Sequence, residues 1–172
     1  MTDGPQVGRL RAPARRKTFS VGLAIASTVI LVDQLTKNWA INTLGSGRRI
    51  HVVWLLQFNL THNSGMAFST GSRLGPFIGV LAAMVVVGMV ISLRRVRSVV
   101  SLVATGLIIG GALGNIIDRL LRGDGWFRGS VIDFIDFQRW PIFNVADMCV
   151  MIGAAMLLFG ASRTQRRVRA SS

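Results

Sequence analysis

The chain has no glutamate. All seven of its acidic side chains are aspartate, set against twenty lysines and arginines in 172 residues. Charged residues make up only 16% of the sequence and hydrophobic ones 51%, a balance that suits a polytopic membrane protein folded as one bundle better than a soluble domain. A single cysteine, Cys149, excludes an internal disulfide and a cysteine-rich metal site. His51 and His62 are the only histidines, and no HExxH occurs, which argues against a zinc peptidase; no metal site is expected. There is no GxSxG elbow either, and neither histidine has an evident serine partner, so serine chemistry is weakly supported.

The net charge of +13 raises the question of nucleic acid. The basic residues gather in the termini and one short link, with no aromatic-interleaved basic groove, so nucleic acid is not expected as a partner. The positive-inside rule and attraction to anionic headgroups account for the clusters, and membrane lipid is the expected partner.

Residues 1–17, with Pro5, Pro13 and five basic side chains, read as a disordered tail. The next apolar run has no obvious small-residue cleavage site and continues through "LVDQLTKNWAI", so it reads as a retained helix. Four candidate spans follow, at roughly 18–40, 75–93, 99–118 and 142–162, each near the ~20 residues a bilayer core requires. They define one membrane domain over residues 18–162, with a second basic tail at 163–172. An even number of spans puts both termini on one side. Arg9, Arg11, Arg15, Arg16 and Lys17, the link with Arg94, Arg95 and Arg97, and the tail with Arg163, Arg166, Arg167 and Arg169 belong in the cytoplasm. The connections at 41–74 and 119–141 then face outward.

In "LLQFNLTHNSGMAFS", Gln57, Asn59, Thr61 and Asn63 alternate with Phe58, Leu60 and His62. Period-two alternation predicts a half-buried strand ending at the Asn-Ser-Gly turn, part of a small outer sheet between the first two helices. The second connection, with "VIDFIDF", supplies either a partner strand or a short helix.

Asp33 lies sixteen residues past Lys17, and Asp147 sixteen before Arg163, so each stands about 24 Å above the cytoplasmic boundary. Asp118, twenty-one past Arg97, stands about 31 Å up. Each polar residue has a plain structural reading. Asp33 and Lys37, spaced i, i+4, can neutralise one another. Asp118 with Arg119 can anchor a helix end at the interface, Asp136 and Arg139 can be solvated, and Asn63, Asn115 and Asn144 can be caps or turn formers. Asp147 resists such a reading. It enters an uninterrupted apolar run with no basic residue nearby in sequence, and intramembrane carboxylates are costly unless partnered or protonated. Two close carboxylates would share a proton, one acting as base toward water and its protonated mate as acid.

Taken together, "VDQLTK", "HNSGMAFS", "GGALGNIIDR", "VIDF" and "FNVAD" resemble the blocks of the bacterial lipoprotein signal peptidases, or signal peptidase II, in family order from about residue 18 to 161. The resemblance implies a four-helix membrane enzyme with a small extracytoplasmic β-cradle. It would be an aspartic endopeptidase without cofactor, cleaving prolipoproteins just before the diacylglyceryl-modified cysteine, near the outer leaflet; apart from the resemblance, a monomer is expected. The family's catalytic aspartates match Asp133 and Asp147. Asp33, Lys37, Asn63, Gly65, Asn115, Asp118, Arg119 and Asn144 would shape the site or bind substrate. The sequence departs from the family pattern in a longer link before "VIDF", a shorter one after it, and Met66 in place of a usual alanine. "VIDFID" also offers Asp136 as a second aspartate; Asp133 is preferred, since it alone follows the small apolar pair of the motif.

Overall fold

The computed structural model describes residues 12–65, 75–96 and 98–170. The elements run α1 (Ala12–Leu44), β1 (Ile50–Val53), β2 (Leu56–Asn63), α2 (Gly75–Leu93), α3 (Val99–Leu121), β3 (Val131–Asp136) and α4 (Val145–Ala170). This is an α-helical integral membrane protein with a small antiparallel sheet at one end of the bundle. Thr18–Leu44, Pro76–Leu93 and Val99–Leu121 are long and apolar enough to cross a bilayer. The apolar part of α4, Val145–Gly160, is shorter, but the helix runs on to Ala170.

Helix ends depart from the sequence expectation for identifiable reasons. α1 starts at Ala12, so residues 12–17 are helical where a disordered tail was expected, and residues 1–11 lie outside the described ones. α3 ends at Leu121 rather than 118, which puts Asp118 and Arg119 inside its last turns. α4 starts at Val145 rather than 142, because Phe143 is held in a bridge to Ile135 and Asn144 caps the helix.

α3 is the central helix and packs against the other three. Its close approach to α1 depends on glycine: a Cβ at Gly110 would lie 2.7 Å from the Ala26 carbonyl oxygen, and one at Gly114 would lie 2.5 Å from Asp33 Oδ2. Backbones at this separation bring side-chain donors and acceptors on α1 and α3 within direct bonding distance.

The sheet order is β1-β2-β3, antiparallel throughout, so the connection after α3 supplies a strand. The sheet therefore draws on both long connections and not only on the one between the first two helices. Thr61 pairs with Asp133 and Asn63 with Val131, and a register shift falls between Phe58 and Thr61. Trp39 of α1 meets Phe58 of β2 and Phe134 of β3 edge-on, with ring centroids 5.2 and 6.0 Å apart. Ala40, Leu44 and Phe134 are buried under the sheet. Aromatic contacts of this kind contribute about 0.5–1.5 kcal/mol each beyond burial, and here they fix the sheet onto the end of α1.

Candidate active site

The lowest layer of the polar cluster is an ion network between α1 and α3. Lys37 Nζ stands 2.8 Å from Asp33 Oδ2 and 2.8 Å from Asp118 Oδ2, and all three side chains are fully buried. The expected Asp33–Lys37 pair is therefore present but serves two carboxylates. Asp118 is no interfacial anchor: it also accepts from Arg122 Nε at 2.8 Å, the Ile132 backbone N–H at 3.1 Å and Gln34 Nε2 at 3.1 Å. A buried charge is tolerable only when each oxygen is engaged this fully. Asp33 Oδ1 in turn accepts from the Ala146 backbone N–H at 3.0 Å, tying α1 to the first turn of α4.

Above this layer lies a chain of amides. Lys37 Nζ donates to Asn115 Oδ1 at 2.9 Å, and Asn115 Nδ2 donates to Asp147 Oδ1 at 2.8 Å. An ammonium has no acceptor capacity, so the Asn115 amide has only one orientation that satisfies both neighbours. Asn144 and Asp147 form a reciprocal box at the start of α4. The Asp147 N–H donates to Asn144 Oδ1 at 3.0 Å, and the Asn144 N–H donates to Asp147 Oδ2 at 3.2 Å. This is the capping-box arrangement, with Asn as cap and Asp at the third helical position. The cap reading of Asn144 thus holds, and its amide does more besides.

Asn144 Nδ2 donates to Asp133 Oδ1 at 2.6 Å, so one asparagine touches both Asp133 and Asp147. The other Asp133 oxygen accepts from Asn63 Nδ2 at 3.0 Å. Asn63 is oriented by the Gly65 N–H, which donates to its Oδ1 at 3.0 Å; Gly65 sits at φ 99°, where glycine is the natural occupant. Asp133 is 2% exposed. Burial, reinforced by the Asp147 charge and opposed by the Asn63 and Asn144 donors, pushes its carboxyl up to about 6.

Arg119, beside these carboxylates, is buried, and its Nη1 has no hydrogen-bond partner among the described residues. An orphaned guanidinium N–H in such a place is a donor awaiting an acceptor. A cleft of about 370 Å³ opens onto Asp133, lined by Thr61, His62, Asn63, Ser64, Pro141 and Ile142.

Asp136 is not solvated, contrary to its sequence reading. It accepts from Gln57 Nε2 at 2.7 Å, Asn59 Nδ2 at 3.2 Å and the Gln138 N–H at 2.6 Å. Burial would raise this carboxyl, but the three donors hold it below its ordinary range. Three residues along from Asp133, it projects from the opposite face of β3. Arg139, by contrast, is exposed as expected. The ten residues expected at the site fall into one connected region. Gln34 and Arg122 complete it unannounced, Arg122 Nη2 reaching Gln34 Oε1 at 3.3 Å and Asn38 Oδ1 at 2.9 Å. The signal for Gln34 was available, as an amide inside an apolar helix next to Asp33. Met66 lies outside the described residues.

Carboxylates, amides and a guanidinium with an unpartnered Nη1 among the described residues converge in a helical membrane bundle, so the class is an integral membrane protein with a buried polar cluster as its candidate site. Two solved structures described as bacterial membrane enzymes share the fold. One, at 2.3 Å, superposes with a TM-score of 0.72 at 28% identity, covering 85% of this chain and 90% of that one. The other, at 1.9 Å, gives 0.73 at 29% identity, covering 83% and 92%. The family profile described as signal peptidase (SPase) II matches residues 25–163, and the chain belongs to that family. It is 39% identical to a lipoprotein signal peptidase of Mycobacterium avium, over 86% of this chain and 80% of that protein. Similar proteins of the same description occur in Mycolicibacterium smegmatis, at 36% over 92% and 67%, and in Bifidobacterium longum subsp. infantis, at 36% over 89% and 81%. Membership makes the chain a membrane peptidase that removes signal peptides from lipoproteins.

Proposed function

We propose that this chain is an aspartic endopeptidase in which Asp133 and Asp147 are the reacting pair, cleaving prolipoproteins on the N-terminal side of the diacylglyceryl-modified cysteine. The observation that carries the reading is the single asparagine, Asn144, bonded to both carboxylates. Its amide and backbone hold the two acids in one constellation built from β3 and α4.

The environments suggest a division of labour. Asp133, buried and with its carboxyl raised to about 6, carries the shared proton and acts as acid. Asp147 accepts two N–H donors at a helix N-terminus, where anionic charge is favoured, and acts as base. Asp147 takes a proton from water, the water oxygen bonds to the scissile carbonyl carbon, and Asp133 gives its proton to the carbonyl oxygen. In collapse of the tetrahedral diol the C–N bond breaks, the amine nitrogen takes the proton held by Asp147, and the hydroxyl proton returns to Asp133. The free Arg119 Nη1 suits a backbone carbonyl of the bound peptide, and the amides of Asn63, Asn115 and Asn144 keep the acids in place.

In this reading both termini face the cytoplasm, the sheet faces outward, and the site lies near the outer leaflet of the cytoplasmic membrane, where the acyl chains of the modified cysteine reside. The enzyme acts as a monomer. The test is cleavage of a lipidated precursor in detergent by Asp133→Asn and Asp147→Asn. Each is expected to lose at least ~10³-fold in turnover while remaining folded. Near-normal turnover in either variant removes that residue from the pair, and equal cleavage of unlipidated precursor removes the lipid from the recognition.

A further inference from the structure

Two-residue turns between strands favour glycine, asparagine and aspartate, which tolerate left-handed backbone and water. The turn between β1 and β2 contains none of them. Its residues are Trp54 and Leu55, preceded by Val52 and Val53. Trp54 has φ 53°, a conformation that glycine adopts freely and a bulky side chain does not. Yet Trp54 is 94% exposed and Val53 67%, with Val52 and Leu55 exposed as well. Strain is kept where the side chain responsible for it is used. Nothing among the described residues covers this side chain.

Its position indicates what does. The apolar stretch of α1, Thr18–Leu44, has 27 residues, about 40 Å of helix against a hydrocarbon core of about 30 Å. The sheet packs on the last turns of that helix, through Trp39, Ala40 and Leu44, and so stands at headgroup level. The turn is four residues from Phe58 along β2, within about 13 Å of that contact. Arg48 and Arg49, exposed just before β1, offer charge complementary to lipid phosphate. Trp126 and Trp140, also exposed, lie in the other connections at this end, so all four tryptophans of the chain gather there as in an interfacial belt. A two-residue tip is too small to hold a second copy, for which a stable interface needs on the order of 1,000 Å².

We propose that the β1–β2 turn docks into the bilayer leaflet at the sheet-bearing end, with Val53, Trp54 and Leu55 among the acyl chains and Arg48 and Arg49 at the phosphates. This inference is independent of the chemistry assigned to the aspartates. It gives the sheet a second tether, opposite the one at Trp39, and fixes the height of the cleft wall above the lipid.

Cys149→Ala removes the only thiol and provides the background for a nitroxide at Val53→Cys in phosphatidylcholine–phosphatidylglycerol vesicles. Collisions with oxygen, which concentrates in the acyl region, should exceed those with a water-soluble nickel chelate several-fold. The same label at Asp124→Cys, an exposed site between α3 and β3, should show the reverse. A label at Val53 as accessible to nickel as one at Asp124 overturns the proposal. So does dipolar broadening that vanishes on dilution with unlabelled protein, which would assign the tip to a second copy. Val52→Cys, labelled in the same way, checks that the reading belongs to the turn rather than to one probe.

Discussion

Lys37 holds the side-chain oxygen of Asn115 at 2.9 Å and thereby turns its nitrogen toward Asp147, 2.8 Å away. A cation that touches neither Asp133 nor Asp147 in the hydrogen-bond network thus decides what Asp147 sees.

Removing that cation also strands Asp33 and Asp118. Lys37→Met is expected to cost about 3–5 kcal/mol of unfolding free energy in detergent, with part recovered when Asp33→Asn is added. The turnover lost by this double variant, measured on folded enzyme, should be absent in an Asn115→Ala background. Additive losses would show that Lys37 acts by another route.

Asp133 gives the protein a definite pH response. Its carboxyl stands at about 6 when folded and near 4 when unfolded, so the folded state binds the proton more tightly. The contribution of Asp133 to stability is then complete below about pH 4 and is lost as pH rises through about 6. The melting temperature should decline across that window, and Asp133→Asn should flatten the decline. In the wild type, kcat/KM should show an alkaline limb beginning near pH 6.

Asp136→Ala separates the two aspartates of β3. It leaves Gln57, Asn59 and the Gln138 N–H without their acceptor, an expected loss of about 1–3 kcal/mol. Cleavage per folded molecule should remain within a few-fold of wild type; a loss comparable to that of Asp133→Asn would make Asp136 the reacting residue.

Gly114→Ala tests the α1–α3 approach. The new methyl would meet Asp33 Oδ2, which Lys37 and Gln34 hold in place. Overpacking of this kind costs about 1–3 kcal/mol, and thermal unfolding in detergent should register it. An unchanged transition would mean that the helices separate freely here.

Much of this was written in the sequence at the scale of local pattern. The hydrophobic runs located the helices, the alternation from Gln57 to His62 located β2, and the matching depths of Asp33 and Asp147 are realised in the Asp33–Ala146 bond. Alternation was less informative about burial. Gln57 is buried because its amide serves Asp136, a partner 79 residues away that no period reveals. For the same reason Asp136 looked like surface. The last turn of α3 differs from its sequence pattern because Asp118 followed by Arg119 reads as an interfacial anchor, whereas both are buried and Arg122, which the pattern does not single out, folds back onto Asp118. The sharing of Asn144 between two acids depends on β3 and α4 meeting at the Phe143 bridge, which only the tertiary fold creates.

The cluster contains four carboxylates, Asp33, Asp118, Asp133 and Asp147, and three cations, Lys37, Arg119 and Arg122. With one proton on Asp133 the sum is zero. In that protonated state electroneutrality needs no counter-ion from the medium, and the site can be closed over by lipid or peptide without drawing one in. In the proposed mechanism, the proton shared by the pair would thus also balance the charge of the site.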